Sequence, residues 1–162
     1  MSKPIVHLEA PIVPDEGLGG LELRTKITDI QELFMGLGLY QSGICELIAP
    51  FEARYSLGKG EVQVGVDVRN GKIFKIIAGP GYQGLLFGKI SVGMGVGEAM
   101  RQEPCLHYDE AEEAVLYRGC PGVMLDVPES DPFPETVPTL QISAISVYAV
   151  EAFSRDGQKG HW

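Results

Sequence analysis

The sequence is poor in cysteine, in basic residues and in long apolar runs. Its three cysteines, Cys45, Cys105 and Cys120, are odd in number and share no paired spacing, so we expect free thiols and no disulfide framework. No apolar run approaches the roughly 18 residues that a membrane-spanning helix needs. The opening stretch MSKPIVHLEAPIVPDEG is interrupted by Glu9 and Pro11, which argues against a secretion signal and predicts a cytoplasmic protein.

The shortage of basic residues limits the partners that the chain can have. Thirteen Lys and Arg stand against 22 Asp and Glu, for a formal net charge of -9. Nucleic acids and anionic membranes attract basic surfaces, so direct binding to either is not expected. A basic protein would suit this charge. With 162 residues and 44% hydrophobic content, the chain is predicted to form a single domain over residues 1–162.

Glycine, by contrast, is abundant, and one stretch raises a specific question. GKIFKIIAGPGYQG places Gly79, Gly81 and Gly84 after a probable strand, in the G-x-G-x-x-G spacing of dinucleotide-binding loops. Such a loop needs a helix that starts at the third glycine. Here the following LLFGKISVGMGVG is broken by Gly88 and alternates like a strand. The pattern therefore predicts a structural turn between two strands, with Tyr82 packed on the surface.

Two segments resemble each other at a fixed offset. LELRTKITDIQELF can be laid without gaps on ISVGMGVGEAMRQE, so that Leu21 matches Ile90 and Ile27 matches Val96. Both begin with the alternation of a strand and continue with helical spacing, and Thr28 offers a helix cap in the first copy. We predict two βαββ-like halves, 17–80 and 85–150, of a possible internal duplication, followed by a frayed tail over 151–162.

Several strands follow from alternation and turn signals. EVQVGVDV and KIFKIIA are joined through Asn70 and Gly71, a pair that predicts a hairpin with a type I′ turn. EAVLYRG, GVMLDV and LQISAISVYAV are the later strands, and the proline-rich DVPESDPFPETVP is a loop. The fold class predicted is α+β, a mostly antiparallel sheet with two or three short helices.

Catalytic and metal-binding patterns are weak. Cys105, His107 and Cys120 are the only Cys/His cluster, but their spacing matches no familiar zinc site. The sequence has no nucleophile elbow, and its carboxylates lie in charge runs where they are normally solvated. We therefore predict no catalytic residue, no metal and no cofactor, and we expect that the protein is not an enzyme. A small-molecule-binding or enzymatic domain that uses the glycine-rich turn 79–84 remains the alternative.

Negative charge is concentrated in one part of the chain. From Leu106 to Thr136 there are eight acids and one base, Arg118, for a net charge of -7. Aromatic residues are interspersed among these acids. Charge accelerates the encounter with a basic partner, and aromatic side chains supply buried anchors. The predicted partner-binding surface consists of Tyr108, Asp109, Glu110, Glu112, Glu113, Tyr117, Asp126, Glu129, Asp131 and Phe133.

Three stretches within the second half, FGKISVGMGVGEAM, YDEAEEAVLY and PGVMLDVPESDP, resemble a pattern of small acidic bacterial immunity proteins, which neutralise polymorphic secreted toxins. The resemblance covers about Gly84 to Pro132 and implies a role rather than a fold. It implies a cytoplasmic antitoxin that binds and inhibits a basic toxin, best matched by a nuclease. The charge distribution points to the same kind of partner on separate grounds.

Overall fold

A computed structural model of the chain describes residues 6–30 and 45–162. Ten strands lie in these ranges, two of them in a small hairpin and eight in one large sheet. They are β1 (Gly17–Leu18), β2 (Leu21–Glu22), β3 (Cys45–Ala49), β4 (Glu52–Leu57), β5 (Val62–Asp67), β6 (Lys72–Ala78), β7 (Leu106–Asp109), β8 (Ala114–Tyr117), β9 (Val123–Asp126) and β10 (Ala144–Tyr148). The predicted mostly antiparallel α+β architecture is confirmed.

The large sheet has the order β3-β4-β5-β6-β10-β9-β8-β7, and all its ladders are antiparallel. Each half of the chain thus contributes a four-stranded meander. The two meanders join through β6 and β10 at the centre of the sheet. At that seam Ile77 pairs with Ser146.

Alternation along the strands gives the sheet two different faces. The core face includes one continuous row across seven strands: Leu57, Val62, Ala78, Ile145, Leu125, Val115 and Tyr108. The other face, called the second face below, includes the row Ser56, Gln63, Ile77, Ser146, Met124, Leu116 and His107. The core face packs with Val96 and Ala99 in one buried apolar cluster.

The same main-chain contacts occur in both halves at a constant separation along the chain. In the first half, Arg24 N donates to Ile73 O and Ile27 N donates to Gly71 O; 69 residues later, Gly93 N donates to Ile142 O and Val96 N donates to Leu140 O. The bridge Lys26–Lys72 recurs in the same way as Gly95–Gln141.

These contacts hold the segment before each meander against the last strand of that meander. This repetition of contacts is a feature of the fold. Common descent of the halves 17–80 and 85–150 stays a prediction.

The helical content is lower than predicted. Within the described ranges the structure has one α-helix, α1 (Val96–Gln102), and four 3-10 turns at Ile27–Asp29, Val137–Thr139, Val150–Phe153 and Gly157–Lys159. The helix begins where the repeat pattern placed it. Its counterpart in the first half is the 3-10 turn at Ile27–Asp29, where Thr28 lies inside the turn and Lys26 precedes it without a side-chain cap. The continuation of that segment, from residue 31, lies outside the described residues.

The predicted β5–β6 hairpin is confirmed, but the predicted type I′ turn is wrong. Of the Asn70–Gly71 pair only Gly71 has positive φ, at 72°, whereas a type I′ turn needs two such residues. Gly71 N donates to Asp67 O, and the Asn70 side chain accepts a hydrogen bond from Lys72 N. Gly71 therefore closes a longer connection that begins at Asp67.

The C-terminal segment is packed on the sheet, which corrects the prediction of a frayed tail over 151–162. Trp162 Nε1 donates to Asp67 Oδ2 at 3.0 Å, and Arg69 donates to Gln158 O at 2.5 Å. Lys72 Nζ also donates to Trp162 O. The segment docks because charged side chains of the β5–β6 hairpin donate hydrogen bonds to its main-chain carbonyls. The composition of the segment is polar and gives no signal for these bonds.

Candidate functional site

The β7–β8 turn holds four of the predicted acids in a defined shape. Asp109 Oδ1 accepts hydrogen bonds from the amides of Ala111 and Glu112, both at 3.0 Å. Glu113 has positive φ, at 50°. Asp109 is thus used to shape the turn, as acidic side chains commonly are. Glu110, Glu112 and Glu113 are exposed.

Tyr108, next to this turn, is also within reach of the charge of the loop after β9. Burial raises the pKa of its hydroxyl, and the negative charges of Glu113, Asp131, Glu110 and Asp109 raise it further. Asp131 belongs to the proline-rich loop, so the structure brings two separate acidic segments to one side chain. We call this group, Tyr108, Asp109, Glu110, Glu113 and Asp131, the acidic edge.

Three further predicted residues belong to the same two chain segments as the acidic edge, but they are not among the charges that act on Tyr108. Glu112 and Glu129 are exposed. Phe133 is 72% exposed, although its loop is ordered locally, because Thr136 donates to Phe133 O through both its amide and its hydroxyl. A large aromatic side chain presented in this way to solvent is a candidate anchor for a partner.

Tyr117 is used inside the fold. Its hydroxyl donates to Glu103 Oε2 at 2.9 Å, and its ring packs on Phe87 with centroids 4.9 Å apart. The hydrogen bond to Glu103 is the main reason that the pKa of Tyr117 rises to about 12, with burial adding to it. Tyr117 therefore ties β8 to the end of α1.

Asp126 lies on the second face and so is separated from Tyr108 by the sheet. Tyr108 shares the core face with Val115 and Leu125, and Asp126 follows Leu125 directly, so its side chain points the opposite way. Burial raises the pKa of Asp126, and the positive charges of Lys75 and Arg54 partly offset this. Burial likewise lowers the pKa of Lys75. The charge argument in the sequence missed Lys75; the signal for it was a lysine in the middle of the apolar strand KIFKIIA.

The glycine-rich turn uses its amides within the protein. Gly79 N donates to Glu61 O at 2.9 Å, and Gly84 N donates to Leu8 O at 3.0 Å. A Cβ added at Gly84 would lie 1.9 Å from Ala10 O, so close approach of two main chains explains this glycine. Phosphate-binding loops instead present free amides at a helix N-terminus.

The predicted surface position of Tyr82 is wrong. Its side chain is buried, its hydroxyl accepts from Gly19 N at 2.8 Å, and it donates to Ala10 O at 2.6 Å. The tyrosine thus links the glycine-rich turn to the β1–β2 hairpin and the N-terminal segment. The composition of the turn gave no signal for these partners, because they are distant in sequence.

The cysteines and acids give no metal-ligand group in the described structure. Cys105 and Cys120 are free thiols, while the side chain of Cys45 lies outside the described part. Across residues 6–30 and 45–162, no three His, Cys, Asp or Glu side chains are grouped so as to hold a metal ion. The same ranges hold no helix that is long and apolar enough to cross a membrane.

Comparison with known proteins relates the chain to others by fold only. No protein-family model matches the sequence, and no curated protein matches it. A crystal structure of the uncharacterized protein yfeY from Escherichia coli is similar, with a TM-score of 0.54 and 14% identity over 84% of this chain and 98% of that one. A cysteine-rich secretory protein from Staphylococcus aureus matches with a TM-score of 0.43 and 12% identity, over 90% of this chain and 50% of that one.

Proposed function

We propose that this protein binds a basic protein partner through the acidic edge and Phe133, in the manner of an immunity protein that inhibits a toxin. The observation that carries the proposal is that the negative charges of two acidic segments, the β7–β8 turn and the loop containing Asp131, both raise the pKa of Tyr108. Seven of the nine net negative charges lie between Leu106 and Thr136.

The physical roles of the charged and aromatic groups differ. Exposed carboxylates act over about a Debye length, roughly 8 Å at physiological salt, and so mainly raise the association rate. An aromatic side chain that becomes buried on binding mainly lowers the dissociation rate. The acidic edge supplies the first role and Phe133 the second.

The preferred partner is a nuclease-type toxin. Enzymes that handle nucleic acids carry basic surfaces around their active sites, and an acidic protein seated there blocks the substrate. In this role the protein acts in the cytoplasm, without chemistry of its own, as a stoichiometric inhibitor.

The experiment first isolates the basic protein that the wild-type chain captures from a lysate of its own cells. It then compares the wild-type chain with Glu110→Lys/Glu113→Lys in binding to that protein. By surface plasmon resonance, we expect the double variant to associate at least tenfold more slowly at low salt, because steering by charge is reversed. The control Glu9→Lys/Glu22→Lys changes the net charge equally at two exposed acids outside the acidic edge. It should retain most of the association rate.

A second pair of variants tests the anchor. Phe133→Ala should raise the dissociation rate more than tenfold, since truncating an aromatic hot spot costs about 2 kcal/mol or more. Leu47→Ala, which removes an equally exposed side chain from β3 (68% against 72%), should leave it unchanged. Equal association rates for wild type and Glu110→Lys/Glu113→Lys would place the partner elsewhere and refute the proposed site.

A further inference from the structure

A cavity of about 230 Å³ is lined by phenylalanines from three separate segments of the chain. Phe51 directly precedes β4, Phe74 belongs to β6, and Phe153 ends the 3-10 turn after β10. The three occur in no motif, so sequence patterns give no signal for their convergence. The nature of an occupant is decided by these rings and by the charged residues beside them.

A β-bulge places Phe74 at this cavity. The β5–β6 ladder pairs Gly65 with Lys75 and Val66 with Ile73. Phe74, between Ile73 and Lys75, is therefore an extra residue of β6. The extra residue of a bulge re-aims its side chain, and bulges are over-represented beside functional sites. Gly65 leaves room for the ring, because a Cβ there would lie 3.4 Å from Phe74 Cε1.

The rings are held in place by contacts within the protein. Phe153 packs edge-on against Phe74, with centroids 6.1 Å apart, and against Tyr148, with centroids 5.0 Å apart. The Arg69 guanidinium lies 4.3 Å from the centroid of Phe51. Phe51 and Phe153 remain about half exposed. A ligand can therefore cover aromatic surface that is already positioned, which reduces the entropic cost of binding.

The charged groups that line the cavity are neutralised within the protein. Glu52 forms an ion pair with Arg54 at 2.6 Å, and Asp67 forms one with Arg69 at 2.9 Å. The Arg69 guanidinium also donates to Gln158 O at 2.5 Å. A charged ligand would lose hydration here without meeting an uncompensated charge of opposite sign, which is unfavourable. The lining therefore favours an uncharged occupant.

We propose that this cavity binds a small uncharged aromatic molecule, with its ring among Phe51, Phe74 and Phe153. An apolar cavity of about 150 Å³ takes up benzene, so a cavity of about 230 Å³ accommodates a substituted ring. Ring pairs gain from edge-to-face and offset contact beyond the area that they bury, which favours an aromatic ligand over an aliphatic one. This site is independent of the acidic edge, and its test needs no protein partner.

Four probes of similar size separate the effect of charge from that of the ring. We expect benzyl alcohol, added to the full chain at millimolar concentration, to bind saturably and to shift the NMR signals of the three phenylalanine rings. Benzylamine and benzoate have the same ring with a positive or a negative charge. Each should bind about tenfold more weakly, because neither charge meets an uncompensated counter-charge. Cyclohexylmethanol, which lacks the aromatic ring, should also bind more weakly.

Three variants connect binding to the cavity. Phe51→Ala removes a half-exposed ring and should weaken benzyl alcohol binding about tenfold. Phe51→Leu keeps the apolar bulk without the ring and should have an intermediate affinity. Leu47→Ala, which removes an exposed apolar side chain outside the cavity lining, should bind like the wild type. Absence of saturable binding, equal or tighter binding of benzylamine, benzoate or cyclohexylmethanol, or unchanged affinity in a folded Phe51→Ala chain would each overturn the proposal.

Discussion

Arg24 combines an unfavourable main-chain conformation with a dense set of side-chain bonds. Its φ is +72°, in the left-handed region that bulky residues rarely adopt. Its guanidinium donates to Asp15 Oδ1 at 2.6 Å and forms a two-bond ion pair with Glu151. Asp15, itself at φ +59°, also accepts from Val150 N at 3.0 Å. Arg24 therefore connects the N-terminal hairpin to the segment after β10.

The corresponding residue of the second half, Gly93, has a similar φ of +91°. The repeated main-chain contacts of Arg24 and Gly93 thus occur with a left-handed conformation in both halves. We expect Arg24→Ala to destabilise the protein more than Arg24→Gly, by about 1 kcal/mol, since both lose the ion pairs but only glycine relieves the strain. Urea denaturation of the two variants measures the difference in the free energy of unfolding.

Gly93→Ala is the matched control for this comparison. A Cβ at Gly93 would have no heavy atom within 4 Å, so any loss of stability reports the main-chain conformation alone. We expect a loss of about 1 kcal/mol. If Arg24→Ala and Arg24→Gly were equally stable while Gly93→Ala was destabilised, the left-handed conformation of Arg24 would have no energetic consequence.

At the scale of the secondary-structure elements, the docked C-terminal segment depends on one nearly buried carboxylate. Asp67 is 4% exposed. Burial alone would raise its pKa, but hydrogen bonds from Arg69 and Trp162 outweigh burial and lower the pKa. A carboxyl group with a depressed pKa in the folded state contributes stability above its unfolded value, and this contribution is lost as the pH falls through the folded value.

Acid should therefore release the C-terminal segment. The window lies below 3.8, the ordinary pKa of the group, because the folded-state value is lower still. We expect the Trp162 emission to shift toward that of exposed tryptophan as the pH falls below about 4, before the loss of the far-ultraviolet signal of the sheet. In Asp67→Asn, the transition in this window should be absent. Emission that follows the unfolding of the sheet in both proteins would show that the segment has no separate transition.

Local signals predicted individual elements well but not their partners. Asn70 and Gly71 identified the β5–β6 hairpin because the signal lies within the turn itself. The packing of Trp162 on Asp67 could not be predicted, since it joins residues 95 apart in sequence. Composition alone identified the acids of the acidic edge. It also grouped Asp126 with them, whereas alternation along β9 places Asp126 on the other face of the sheet. The cavity lined by Phe51, Phe74 and Phe153 gave no local signal, because these rings come from three separate segments.

At the scale of the whole molecule, the central strands of the large sheet differ from its two outermost strands in how they are paired. β5, β6, β10 and β9 each pair on both sides, whereas β3 and β7 pair on one side within the described structure. Ile73, Ile76, Ile145 and Val147 in the central pair are fully buried.

Hydrogen exchange should follow this arrangement. We expect the slowest-exchanging amides in β6 and β10, because opening them requires separation of the two halves and exposure of the core. Amides in β7 should exchange orders of magnitude faster. Mass spectrometry or NMR of the exchanging protein measures both sets in one sample. Protection in β7 equal to that in β6 would mean that the sheet opens as a single unit.

The seam between β6 and β10 has a consequence for synthesis of the chain. β6 is synthesised well before its neighbour β10. Until β10 is made, the strand KIFKIIA is therefore an unpaired edge of the first meander. Unpaired apolar edges invite association between nascent chains, and charged residues within them oppose it. Lys72 and Lys75 are such charges. We therefore expect Lys75, which is partly buried in the finished sheet, to oppose such association while β6 is still an edge strand.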